Sequence, residues 1–216
     1  MKNKPKISVL MASYNTDFLL LKRAIDSALN QSFQDFELII IDDGSNNDKQ
    51  NQLLNYVKKH ENKITYLRHK NCGQSQSINR GVLNSEGEYI TILDADDEYK
   101  PNHLELCLQQ MSNNDLIAST TKTVVDKDDD YYVPDKYDRN LLIHVDDCIL
   151  FATLFGKREV FTNLKFQSIY AADAYFYEAA SKQYKVKKID LRTYIYYRNV
   201  PNSTCSKMKN ENITNA

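Results

Sequence analysis

The chain has 216 residues, 42% of them hydrophobic, enough for one sizeable core and one domain. Its 28 Lys+Arg balance 29 Asp+Glu, which excludes a protein that works by blanket attraction to nucleic acid or anionic lipid. No apolar run approaches the ~20 residues that span a bilayer, and the near-apolar stretch Cys148 to Phe155 is short and holds Thr153. The basic N-terminus runs straight into Tyr14 and Asn15 after a short apolar stretch, so no signal peptide is expected. Cys72, Cys107, Cys148 and Cys205 are too far apart for a CxxC pair or a zinc-knuckle spacing. Free thiols in a reducing compartment are expected, hence a cytoplasmic protein.

Ile7 to Ala12 is a short apolar run of β-formers and reads as a buried strand. Phe18, Leu21, Ile25, Ala28 and Leu29 recur at helical spacing, predicting a helix over Asp17 to Gln31. Glu37 to Ile41 is a second strand and ends in Asp42-Asp43-Gly44. A polar helix over Asn47 to His60 carries Leu53, Leu54 and Val57. Ile64 to Leu67 is a third strand, Gln74 to Asn84 a helix with Ile78, Val82 and Leu83 inward, and Glu88 to Leu93 a fourth strand ending in Asp94-Ala95-Asp96-Asp97. Pro101 is expected to open the next helix, where its missing N–H costs nothing. Asp115 to Thr121 is a fifth strand.

The second half is less regular. Asp126 to Asp147 holds eight acids and three bases and reads as a surface excursion or a small hairpin. Phe151 to Gly156 is a further strand candidate, Lys157 to Asn163 a helical turn, and Ala171 to Gln183 a helix with Ala172, Tyr175, Phe176 and Ala179 inward. Val186 to Ile189 and Thr193 to Tyr197 are short strand candidates. Lys182 to Lys209 holds eight bases and one acid, a segment for a solvated face, a membrane surface or a partner enzyme. Strand-helix alternation implies an α/β protein with a mostly parallel central sheet and helices on both faces. Ligands of such sheets bind outside the carboxyl ends of the strands, where Asp42-Asp43 and Asp94 to Asp97 both fall.

Asp94, Asp96 and Asp97 repel one another unless a cation or donors neutralise them. Oxygen ligands suit a hard ion such as Mg²⁺ or Mn²⁺ and leave positions open for phosphate oxygens. The alternative is a solvated acidic turn or a helix cap. Asp43 can accept from a base-ring N–H or a ribose hydroxyl, or form an Asx turn with Gly44 at positive φ. The Asn71-Cys72-Gly73 turn leads into a helix whose first backbone donors could face a diphosphate. GxGxxG and GxxxxGK[ST] are both lacking, which disfavours dinucleotide and P-loop readings.

The runs SVLMASYN, RAIDSALNQSFQDFELIIIDDGS and NCGQSQSINRGVLNSEGEYITILDADDEYKP closely resemble the family-two inverting glycosyltransferases of the GT-A fold. The match is dense over roughly residues 6 to 105 and continues more weakly through FQSIYAADAYFYEAASKQYKVKKI and YYRNVPNST. The resemblance implies a GT-A, Rossmann-like single domain, with residues 1–120 forming the nucleotide-sugar half and 121–216 a small acceptor-side half. It implies a nucleotide pocket of Ser13, Tyr14 and Asn15, with Tyr14 stacking on the base and Asp43 accepting from uracil. Asp94 would touch ribose or donor sugar, Asn79 would line the donor pocket, Asp96 would ligate Mn²⁺ or Mg²⁺, and Arg198 would contact the diphosphate. Asp173 matches the acceptor-activating base, or caps its helix. Two departures stand out. Ala172 replaces the first acid of the usual pair, and Asn199-Val200 follow Arg198 where relatives carry a histidine. The expected activity is transfer from a nucleotide-diphosphate sugar, UDP foremost, to a hydroxyl of a glycan, glycolipid or glycoprotein, in the cytoplasm or at the inner membrane face. The rival readings are a non-catalytic sugar-nucleotide-binding module or partner subunit, and a nucleotidyltransferase, whose Gly- and Arg-rich loop is replaced here by ASYNTD.

Overall fold

The computed structural model describes residues 4–200, with only the backbone of Asn47. Cys205, Lys207 and Lys209 lie outside the described residues. The strands β1 (Ile7–Ser13), β2 (Phe36–Asp42), β3 (Ile64–Arg68) and β4 (Tyr89–Ile92) run parallel in the order β3-β2-β1-β4. The sheet continues through β9 (Leu154–Lys157), β6 (Leu116–Val124), β10 (Val186–Tyr197) and β5 (Glu98–Tyr99), making eight strands. β9 is antiparallel to both β4 and β6, and β5 is antiparallel to β10. A separate antiparallel hairpin joins β7 (Tyr132–Pro134) to β8 (Leu142–His144), within the acidic excursion.

Six helices cover the two faces: α1 (Phe18–Leu29), α2 (Asn47–Val57), α3 (Gln74–Asn84), α4 (His103–Gln109), α5 (Arg158–Asn163) and α6 (Ala172–Ser181). The period-two alternation of each buried strand sends its side chains to opposite cores. Val9, Met11, Leu38 and Ile40 pack against Leu21, Ala24, Ile25, Leu53 and Leu104 of α1, α2 and α4. Leu10, Ile39, Ile41, Ile90 and Ile92 pack against Ile78, Val82, Phe161 and Phe176 of α3, α5 and α6. Asp17 caps α1 by accepting from Leu19 N at 2.9 Å, and Asn46 caps α2 by accepting from Lys49 N at 3.2 Å.

Several expectations need correction. Leu54 and Leu83 are exposed, because Leu53 with Val57 and Ile78 with Val82 already define the inward stripe of each helix. In α6 the buried positions are Ala172, Phe176 and Ala180; Tyr175 and Ala179 are only partly covered. Pro101 lies in the turn before α4, whose cap is Asn102. Phe151–Thr153 form a 3-10 turn, not a strand, since the Thr153 hydroxyl donates to Leu150 O at 2.8 Å and closes the chain on itself. The two late strand candidates are one strand, β10, interrupted by a register shift in which Arg192 takes φ 49°. No described helix is long and apolar enough to cross a membrane.

At the N-terminal edge of the sheet Ser8 Oγ donates to Glu37 Oε1 at 2.6 Å and accepts from Gly87 N at 2.9 Å. A Cβ on Gly87 would lie 2.5 Å from Ser8 N. Gly87→Ala is therefore expected to destabilise the fold by about 1–3 kcal/mol, through displaced backbone and this broken bond. A fall in the urea midpoint at unchanged m-value would show it; an unchanged midpoint would refute the close-packing account.

Candidate active site

The parallel strands end together, and the register pairs Ser13 with Asp42 and Asp42 with Arg68. The loops that follow are clipped to one another. Asp43 N donates to Ser13 O at 2.8 Å, Asn15 N donates to Ser45 Oγ at 2.9 Å, and Asn46 N donates to Asn15 Oδ1 at 2.8 Å. Asn15 does this at φ 50°, a conformation asparagine tolerates better than most residues. Ser13 is buried, with its hydroxyl on Thr16 at 3.2 Å, and Tyr14 stands 54% exposed at the rim.

Asp42 and Asp43 divide the labour. Asp42 is fully buried and accepts from Ser45 N and the Tyr66 hydroxyl, facing Arg68. Asp43 ties the turn before α3. Its Oδ1 accepts from Cys72 N at 2.8 Å, and its Oδ2 accepts from Gly73 N at 2.9 Å and Asn71 Nδ2 at 3.0 Å. The Cys72 and Gly73 N–H groups, just before the start of α3, are thus spent on Asp43. Gly44 permits this closure: its φ is 80°, and a Cβ there would lie 2.8 Å from Asn71 N.

The turn after β4 presents the second acidic group. Asp97 faces inward, accepting from the Tyr194 hydroxyl and from Tyr197 N, both at 2.7 Å. Burial, then the neighbouring Asp94 and Asp96, push its carboxyl well above the ordinary range. Asp94 faces outward toward α3 and accepts from Gln74 Nε2 at 2.8 Å. Burial first, and then the charges of Asp96 and Asp173, raise it to about 7. Burial also raises Asp96, against the pull of Arg23. The Arg23 guanidinium donates to Asp96 O, stacks on the Tyr197 ring at 3.9 Å and pairs with Glu98 at 3.3 Å.

Asp173 lies in the first turn of α6, behind Ala171 at φ 53°. Ala171 takes the cap position, and Asp173, two residues inside, satisfies a first-turn N–H with its side chain. Its Oδ1 accepts from Ala174 N at 2.8 Å, and its Oδ2 accepts at 3.1 Å from Phe151 N, which the 3-10 turn presents. Burial raises its carboxyl to about 6. Its influence on Asp94 brings the two halves of the chain to one patch.

Two expected site residues have their polar atoms engaged elsewhere. The Asn79 amide is committed on both sides to the Phe166 backbone, donating to its O at 2.8 Å and accepting from its N at 3.0 Å. Arg198 is buried between β10 and the hairpin, with Nη2 toward Tyr132 O at 3.3 Å and Nη1 toward the Tyr196 hydroxyl at 3.4 Å. The sequence reading missed Arg23, Gln74 and Tyr194. Their roles depend on contacts between distant segments, and no local pattern marks them.

The donor set fits a hard divalent cation. Asp96 offers carboxylate oxygens with no side-chain hydrogen bond among the described residues, next to a second carboxylate, Asp94, whose charge needs neutralising.

An eight-stranded mixed sheet with acidic turns at its carboxyl edge is the architecture of GT-A glycosyltransferases. A mannosyltransferase of Pyrobaculum calidifontis, solved with GDP-Man and Mn²⁺, superposes over 96% of this chain and 61% of its own, with TM-score 0.72 and 15% identity. S. aureus TarS 1-349 with UDP-GlcNAc superposes over 93% of this chain and 60% of its own, with TM-score 0.71 and 18% identity. The family model Glycosyl transferase family 2 matches residues 8–185, and the chain belongs to that family. An uncharacterized glycosyltransferase of Methanocaldococcus jannaschii is 38% identical over 121 residues, 54% of this chain and 42% of that protein. One of Rickettsia prowazekii is 30% identical over 196 residues, 82% of this chain and 60% of that protein. The chain thus spans between about two fifths and three fifths of these two relatives' lengths.

Asp173 titrates at about 6 in the folded protein, against ~4 for a carboxyl in an unfolded chain. The folded state therefore binds more protons between these values, and its stability rises as the pH falls through that window. At pH 7.5 the ionised group burdens the fold. Asp173→Asn is expected to stabilise the metal-free protein there by about 1–2 kcal/mol, net of one lost acceptor, with the advantage gone below about pH 4. Thermal melts across this range check it; a variant no more stable at pH 7.5 would refute the burial of an ionised Asp173.

Proposed function

We propose that the chain is a metal-dependent inverting glycosyltransferase. It moves a sugar from a nucleotide-diphosphate sugar, with UDP as the nucleotide, to a hydroxyl of a glycan, glycolipid or glycoprotein. The observation that carries the reading is that Asp94, at the carboxyl edge of the sheet, feels the charge both of its neighbour Asp96 and of Asp173 from the second half. Family membership and the Mn²⁺ and nucleotide sugars of the structural neighbours support it.

Asp173 is held by two backbone N–H groups, so its carboxylate keeps one orientation. With a pKa of about 6 it is ionised at neutral pH yet remains basic enough to take a proton. In this reading it deprotonates the acceptor hydroxyl as that oxygen attacks the anomeric carbon from the face opposite the diphosphate. A single displacement inverts the configuration. Asp96, with Asp94 beside it, would hold Mn²⁺ or Mg²⁺, which when bound neutralises charge on the leaving diphosphate. Ser13, Tyr14, Asn15 and Asp43 receive the nucleoside, Tyr14 by stacking. Gln74 orients Asp94 toward the ribose or donor sugar.

Asp173→Asn is expected to bind donor normally and to lower transfer by about 10²–10⁴-fold. The wild-type rate should fall as the pH drops below about 6. Asp96→Ala is expected to abolish the Mn²⁺-dependent part of UDP binding, read by calorimetry with and without chelator. Full transfer by Asp173→Asn would remove the base, and UDP affinity indifferent to chelator would remove the metal.

A further inference from the structure

A second cluster of ligand-type side chains lies on the loops after β2 and β3 and shares no residue with the Asp94 to Asp97 turn. Asp43 comes from the end of β2, His69 from just beyond β3, and Cys72 from the turn before α3. One ligand atom from each lies within 4.8 Å of the other two. From this geometry we infer that Asp43, His69 and Cys72 form a binding site for a borderline transition ion, Zn²⁺ foremost, and that an ion there excludes the nucleobase. The second clause rests on Asp43 being the base acceptor; the first does not.

Three observations support the ion. The first is convergence on His69 Nδ1, which faces Lys70 O at 2.9 Å, Cys72 Sγ at 3.1 Å and Asp43 Oδ1 at 3.6 Å. With the ring proton on Nε2, toward Ser77 Oγ, the Nδ1 lone pair faces the Lys70 and Asp43 oxygens, a repulsion that a cation among them relieves. A tetrahedral Zn²⁺ wants its N and S ligands about 3.5 Å apart and its N and O ligands about 3.3 Å apart, within a few tenths of an ångström of the spacing present. The second is orientation. His69 Nε2 sits 3.1 Å from Ser77 Oγ, whose hydroxyl donates to Gly73 O, so the far side of the ring is anchored as in ligating histidines. The third is lone-pair supply. Asp43 Oδ2 already takes two N–H groups, whereas Oδ1 takes one and lies 3.6 Å from His69 Nδ1.

The ligand set names the ion class. One nitrogen, one oxygen and one thiol suit Zn²⁺, whereas the all-oxygen set at Asp96 suits Mg²⁺ or Mn²⁺. Cys72 is exposed, which provides an entry path, and its thiol proton leaves to solvent on binding. An ion on Oδ1 occupies the lone pair that a base N–H would use.

The test uses the full chain, first stripped with chelator. Zn²⁺ uptake is read by calorimetry, and Co²⁺ substitution by the near-ultraviolet thiolate-to-cobalt charge-transfer band. Wild type is expected to take one ion per chain at this site and to show the band. Cys72→Ser should lose the band, His69→Gln should weaken uptake by about tenfold or more, and Asp96→Ala should leave both unchanged. No uptake by wild type, or uptake and band unaltered in Cys72→Ser, would overturn the site. Competition is read by saturation-transfer NMR with free uridine and guanosine, which carry no phosphate to chelate the ion. Zn²⁺ should release a bound nucleoside from wild type and not from Cys72→Ser. A nucleoside that stays bound beside Zn²⁺, or no nucleoside binding at all, overturns the exclusion and leaves the ion site standing; the latter result also counts against Asp43 as base acceptor.

Discussion

Carboxylates crowded into a partly buried edge of a parallel sheet set the terms for the rest of this structure. Burial raises the carboxyls of Asp94, Asp96, Asp97 and Asp173, and charge adds to it at Asp94, from Asp96 and Asp173, and at Asp97, from Asp94 and Asp96. Such a cluster persists only where the surrounding fold overdetermines it. Here Tyr194 and Tyr197 hold Asp97, Gln74 holds Asp94, two backbone donors hold Asp173, and Arg23 supplies the positive charge beside Asp96. The stability given up in this way leaves a patch of carboxyls with raised pKa at the carboxyl edge of the sheet.

The scaffold makes that arrangement possible through strand order. The four parallel strands end at one edge, so loops far apart in the chain meet without long excursions. The antiparallel β9, inserted between β4 and β6, then carries the 3-10 turn whose Phe151 N–H fixes Asp173. The second half therefore does more than flank the first, since it extends the sheet and holds Asp173 with the same segment. Asn79 and Phe166 rivet α3 to the stretch that leads into α6. Arg198 does similar work between β10 and the hairpin.

Much of the first half was legible because its signals are local. Apolar runs such as Glu37 to Ile41 and stripes such as Leu21, Ile25 and Ala28 reflect burial on a strand or on one face of a helix, and both survive in the fold. The marginal positions failed for the same reason. Leu54 and Leu83 are apolar at plausible spacings, but the stripe was already complete without them. Phe151 to Gly156 has strand composition, yet Thr153 competes for the backbone and turns its first half. The resemblance pointed to Asp94, Asp96 and Asp173, but it could not show that the Asn79 amide bonds the Phe166 backbone or that Arg198 reaches Tyr132 O and the Tyr196 hydroxyl.

By itself the sequence determined the element order through β4, the sheet class and the positions of both acidic turns, because hydrophobic period and turn chemistry act over a few residues. Only the tertiary structure decided which aspartate points outward, which is locked inward by Tyr194, and that His69 and Cys72 close around Asp43. Those outcomes depend on contacts between segments from different strands, and their energies come from burial and charge that no single stretch of chain carries alone.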